Sequence, residues 1–217
     1  MKIESIPTNN MDKFHNNCDI KELVNISLNH LNDDVIDNIL SLISTNNKKV
    51  IDMLLSKFIS DFDDFNGIYY KIRILIENIQ NNKDYNNLRG VFLELLTYKY
   101  LDRKYKPTDL SKECFVKIDN FKSSKTVDVF ARCDLKGFIC ECKVSHNNFD
   151  ASDISNLNEI YFNSYNILSP YIISLSDKLS IMDHLNRIVL NDNSNCIVHL
   201  NNIKIICSDN FNDFFKL

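Results

Sequence analysis

Through residues 1–82, apolar side chains recur at every third or fourth position. In "DIKELVNISLNHL", Ile20, Leu23, Val24, Leu28 and Leu31 fall on one helical face. "DDVIDNILSLIS" repeats the spacing behind an aspartate in capping position. "KKVIDMLLSKFISDF" and "IYYKIRILIENI" follow, separated by polar turns. The spacing predicts four short helices and an all-helical N-terminal region over residues 1–82.

The period changes after "NNKDYNN". A strong helical run, "LRGVFLELLTYKYLDRKY", comes first, and then three strand candidates: "ECFVKI", "KTVDVFARC" and "GFICECKV". A helix over 150–166, a strand "PYIISLS" and a helix over 177–190 follow. "CIVHL" and "KIICS" read as a closing hairpin around Asn201 and Asn202. Strands interleaved with helices predict an α/β domain over residues 83–217, with a mixed central sheet flanked by helices.

The composition suits a globular chain of 217 residues, with 44% hydrophobic and 25% charged positions. The net charge of -4 excludes a uniformly basic nucleic-acid coat, so any such contact must come from a local patch. No apolar run is long enough to cross a bilayer, and "MKIESIPTNN" has no apolar signal core. The expectation is a cytoplasmic protein with no membrane partner. Seven cysteines, mostly in apolar runs, read as small core residues. Gly67, Gly90 and Gly137 are isolated, so no phosphate-cradling loop exists, and no G-x-S-x-G marks a nucleophile.

"RCDLKG" is a hairpin turn between two alternating runs. With the turn centred between Asp134 and Leu135, antiparallel pairing sets Asp128 opposite Glu141 and Thr126 opposite Lys143. Asp128, Glu141 and Lys143 then share one face, and Val127, Val129, Phe138, Cys140, Cys142 and Val144 take the other. Opposed carboxylates on neighbouring strands have Cβ atoms about 5 Å apart and repel unless a cation separates them. Phe130 and Ile139 share the charged face, which implies a covering helix and makes unpaired acids there costly. A hard divalent cation is one resolution. A solvated hairpin face, with Arg132 balancing Asp128, is the other.

At about 100° per residue, Leu88, Val91, Phe92, Leu95 and Tyr98 form an apolar stripe on the preceding helix. Glu94 lies at its margin and needs a partner: Arg89 or a nearby lysine, a hydrogen-bond network, or a metal.

Glu94, Asp128 and "ECK" with Glu141 and Lys143, in that order and on those elements, resemble the PD-(D/E)xK nuclease superfamily. Its pattern is a helix bearing Glu, a strand bearing Asp and a strand bearing D/E-x-K. Val127 stands where the family has a proline. The resemblance spans residues 85–171 and implies a restriction-endonuclease-like fold. It further implies a metal-dependent endonuclease that hydrolyses DNA phosphodiester bonds in restriction or anti-phage defence. Asp128, Glu141, Glu94 and the backbone carbonyl of Cys142 would hold Mg²⁺ or Mn²⁺, and Lys143 would orient or help deprotonate a water. In the following helix Asn158, Tyr161 and Tyr165 stand where some branches carry Gln and Tyr. The alternative is a non-catalytic nucleic-acid-binding or partner-binding subunit that keeps the fold. Residues 1–82 would contact DNA, a second copy in a homodimer, or a defence-system partner protein.

Arg89, Lys99, Arg103, Lys104 and Lys125, interleaved with Tyr98, Tyr100 and Tyr105, read as a DNA phosphate track. The competing reading is a solvated helix end whose lysines suit the helix dipole.

Overall fold

The computed structural model describes residues 1–8, 12–31, 33–61, 67–191 and 200–215. The helical spacing of the N-terminal half resolves into α1 (Asp12–His15), α2 (Cys18–Asn29), α3 (Asp34–Ser44), α4 (Lys48–Asp61) and α5 (Ile68–Gln80). Caps place their starts. The side chain of Asn17 accepts the Ile20 N–H at the head of α2, and that of Asp33 accepts the Val35 N–H at the head of α3. Phe62, expected at the end of α4, lies outside the described residues, as do residues 196–199 of the expected closing hairpin.

The N-terminal region is not all helical. Residues Ile3–Pro7 form β1, antiparallel to β2 (Asp109–Ile118), with Ile3 opposite Ile118 and Pro7 opposite Cys114. Five residues ending in proline carry little strand signal, and proline is tolerated there because β1 is an edge strand.

Among the described residues the sheet has seven strands in the order β1-β2-β4-β5-β6-β7, with β3 (Phe121–Lys122) paired to β2. β4 (Val127–Arg132) and β5 (Gly137–Lys143) continue the antiparallel part. β6 (Leu168–Ser174) and β7 (Lys204–Ile206) add in parallel, so the sheet is mixed. β7 therefore pairs with β6 rather than closing the described chain as a hairpin. β5 and β6 are buried along nearly their whole length, as central strands covered on both faces must be. Gly137 opens β5 in a place only glycine fits, because a Cβ there would lie 2.4 Å from Leu168 Cδ2 and 2.8 Å from the Ala131 carbonyl.

Helices cover both faces. α6 (Tyr85–Tyr105) packs Phe92, Leu93 and Leu96 with Val129, Ala131 and Cys140, and α2 to α5 join the same core. It stops where Lys106 turns left-handed, one residue before Pro107. On the other face α7 (Ala151–Asn163) buries Ile154, Leu157 and Ile160 among Phe130, Ile139 and Ile172. α8 (Lys178–Asn191) and α9 (Phe211–Phe215) complete the described chain. The architecture is α/β, a mixed sheet between helices. None of the described helices is long and apolar enough to cross a membrane.

The β4–β5 register is the expected one. Val129 pairs with Cys140 and Arg132 with Gly137, so one further step sets Asp128 beside Glu141. One face assignment differs: Val127 packs with Cys114 in the core under α7, not with Val129. The strands turn there. Glu113 of β2 has a φ of 40°, and pairing with β4 passes from Lys112–Val129 to Cys114–Val127 without a Glu113–Asp128 step.

Candidate active site

Asp128, Glu141 and Lys143 come together at the junction of β4 and β5. Asp128 Oδ2 accepts the Cys142 backbone N–H at 2.7 Å and the Lys143 ammonium at 3.0 Å. The same ammonium donates to Glu141 Oε2 at 3.2 Å. Lys143 thus lies between the two carboxylates, as the repulsion between opposed acids requires.

Burial sets the electrostatics. Glu141 is only 3% exposed, and burial, reinforced by the Asp128 charge, pushes its pKa well above the usual carboxylate range against the pull of Lys143. Burial pulls Lys143 down, but Asp128 and Glu141 outweigh it and hold the ammonium above the ordinary lysine range. Behind Glu141, Asp153 in the first turn of α7 adds negative charge and receives Lys125 Nζ at 2.6 Å.

Glu94 reaches the same region from α6. Its Oε2 lies 3.0 Å from His15 Nε2 of α1, and both side chains are largely buried. Burial raises the Glu94 pKa, with Asp128 adding to the rise and His15 opposing it. The partner is neither Arg89 nor a lysine but His15, which the sequence reading did not name.

A cleft of 610 Å³ lies over these groups. One wall carries Phe14 of α1, Asn46 between α3 and α4, and Asn86, Asn87, Arg89, Gly90, Val91 and Glu94 of α6. The other carries Glu113, residues 142–145 and Asn148. Asp128 and Glu141 do not line it. Their side chains are 15% and 4% exposed, behind that of Lys143 at 25%.

The chemistry of the donors suits Mg²⁺ or Mn²⁺. Asp128, Glu141 and the Cys142 carbonyl are hard oxygen donors, and burial first of all raises the Glu141 and Glu94 carboxyls. Yet among the described residues no group of three or more His, Cys, Asp or Glu is gathered so as to hold a metal ion. Glu94 is turned to His15, and Lys143 fills the space between the other two acids.

The five basic residues read as a phosphate track each make hydrogen bonds within the fold. Arg89 is buried and donates to the Ile43 and Ser44 carbonyls, closing the C-terminal end of α3. Arg103 donates to the Leu28 carbonyl at the end of α2, and Lys99 to Asn25 of the same helix. Lys104 donates to the Tyr100 hydroxyl at 2.6 Å. Lys125 clasps the capping box of α7 through Ser152 and Asp153. His146 bonds Ser176.

Three neighbours of the site were missed in the sequence. His15 gave no signal, because its partner is 79 residues away. Glu113 could have been found by extending the strand register from β4 to β2. Asp153 is visible only as an α7 capping residue.

The sequence matches no protein-family model and no curated protein. Among solved structures, the chain is similar to Can2 from Sulfobacillus thermosulfidooxidans in complex with cyclic tetra-adenylate. The TM-score is 0.43 and the identity 12%, over 94% of this chain and 51% of Can2. It is also similar to protein VC1899 from Vibrio cholerae, at a TM-score of 0.45 and 12% identity, over 92% of this chain and 55% of the other. The chain thus spans about half the length of either. Both TM-scores lie below 0.5, and neither likeness carries an argument about function.

Proposed function

We propose that the chain is a metal-dependent nuclease of the PD-(D/E)xK kind, with Asp128, Glu141 and Lys143 as its centre. The observation that carries the reading is the Lys143 ammonium, bonded to both Asp128 and Glu141 at the edge of a cleft large enough for a nucleotide-sized ligand. The resemblance to the superfamily extends it to DNA as substrate and to restriction or anti-phage defence as the setting.

Asp128 and Glu141 would hold Mg²⁺ or Mn²⁺, with the Cys142 carbonyl and Glu94 as further oxygen donors. A bound ion of this kind stabilises charge on a scissile phosphate and acidifies a coordinated water. Lys143 would offset charge on a phosphate oxygen and orient or help deprotonate the attacking water. Asp128 also fixes β5 beside β4 through the Cys142 N–H, so the carboxylate is oriented before any ligand arrives.

A second reading has its own observation. Lys143 already neutralises the paired acids, and no three-ligand group is assembled among the described residues. That arrangement also suits a non-catalytic subunit that binds nucleic acid or a partner protein.

Incubation with Mg²⁺ or Mn²⁺ and plasmid, linear duplex and single-stranded DNA separates them. Cleavage that stops on adding EDTA supports the nuclease. Intact substrates with both metals would leave the binding subunit.

A further inference from the structure

We infer that the cleft takes single-stranded nucleic acid, with unpaired bases against the side chains of Asn46, Asn87 and Asn148. This deepens the nuclease reading and rests on it.

The first observation is the chemistry of the lining. Asn46, Asn87 and Asn148 are exposed, line the cleft, and make no side-chain hydrogen bond with the described residues. Each amide offers both a donor and an acceptor, the pattern that matches a base edge. In a duplex the Watson–Crick edges are taken up by pairing. In a single strand they are open, and side chains read them there. Phe14 adds an apolar wall on the same cleft.

The second is the charge. Tight duplex binding draws on several cations laid along the phosphates. Here the lining cations are Lys143, bonded to Asp128 and Glu141, and Arg89, bonded to backbone carbonyls. Glu94 and Glu113 line the same cleft and offset them. Lys99, Arg103 and Lys125 are engaged elsewhere in the fold. The affinity must therefore come from amides and apolar contact rather than from a basic track.

The third is depth. A duplex is read by an element that protrudes into a groove about 12 Å wide. This site is a concavity, and its acids lie behind Lys143 at 4% and 15% side-chain exposure. A flexible strand bends its backbone into such a place more readily than a stiff duplex does.

The test is fluorescence anisotropy on the full chain in EDTA, so that binding is read without cleavage. The probes are labelled DNA and RNA strands of about 12 nucleotides, and the DNA duplex of the same sequence. Tighter binding of either strand than of the duplex, by about tenfold or more, is the expected result. Which strand binds better identifies the sugar. Asn87→Ala with Asn148→Ala should weaken strand binding by about tenfold, with the thermal melt unchanged. Duplex binding equal to or tighter than both strands, or strand binding indifferent to the double substitution, overturns the inference. The nuclease reading is judged separately, by metal-dependent cleavage of any DNA, and survives that outcome.

Discussion

Asp128 Oδ2 accepts two donors at once, the Cys142 backbone N–H at 2.7 Å and the Lys143 ammonium at 3.0 Å. One carboxylate therefore both joins β4 to β5 and balances the charge of the site. The two roles separate by substitution. Asp128→Asn keeps an acceptor for the Cys142 N–H, whereas Asp128→Ala leaves it without one. The alanine variant should lose about 1–3 kcal/mol in urea unfolding and the asparagine variant less.

Glu141 makes stability depend on pH. Its folded pKa is raised above the ordinary value of 4.5, so the native state binds more protons than the unfolded state in the interval between the two. Stability from this group is present on the acid side and is lost as pH rises from about 4.5 through the raised value. Glu94 acts in the same direction. In EDTA, wild-type protein should lose stability relative to Glu141→Gln as pH rises from 5 to 8. Parallel curves would contradict the assignment.

His15 is the partner that Glu94 keeps inside the fold, at 3.0 Å. His15→Ala leaves a buried carboxylate without that bond, and should lower the urea midpoint by the equivalent of about 1–3 kcal/mol. Glu94→Gln in the same background should recover part of the loss, because a neutral amide is cheaper to bury. A full loss in the double variant would argue against the pair.

Arg103 tests whether the basic residues serve the fold or the phosphates. It donates to the Leu28 carbonyl and to Asn29 at the end of α2. Arg103→Ala should cost about 1 kcal/mol of stability. The salt slope of nucleic-acid binding should stay unchanged, whereas loss of a true phosphate contact lowers it by about one unit.

Local chemistry was the legible part of this chain. The turn "RCDLKG" sets the register that pairs Val129 with Cys140, and that register puts Asp128, Glu141 and Lys143 on one face. The long helix of Glu94 was equally plain from its apolar stripe. Contacts between distant segments were not legible. Ile3–Pro7 are too short and too irregular to announce an edge strand, and they find β2 more than a hundred residues on. Arg89 and Arg103 looked like surface cations because spacing cannot reveal that the carbonyl ends of α3 and α2 lie beside them. Lys125 bonds Asp153 of α7, a partner 28 residues on that spacing does not reveal. Glu113 has a φ of 40° where the β2–β4 ladder omits one step, and Val127 beyond it lies in the opposite core from Val129.

The most direct measurement is the rate of Mn²⁺-dependent cleavage of a labelled DNA strand by wild type, Asp128→Asn and Lys143→Ala, each first shown to be folded by its thermal melt. Both substitutions should slow cleavage on the order of 100-fold or more. Cleavage by either variant at the wild-type rate would contradict the assignment of Asp128, Glu141 and Lys143 as the centre.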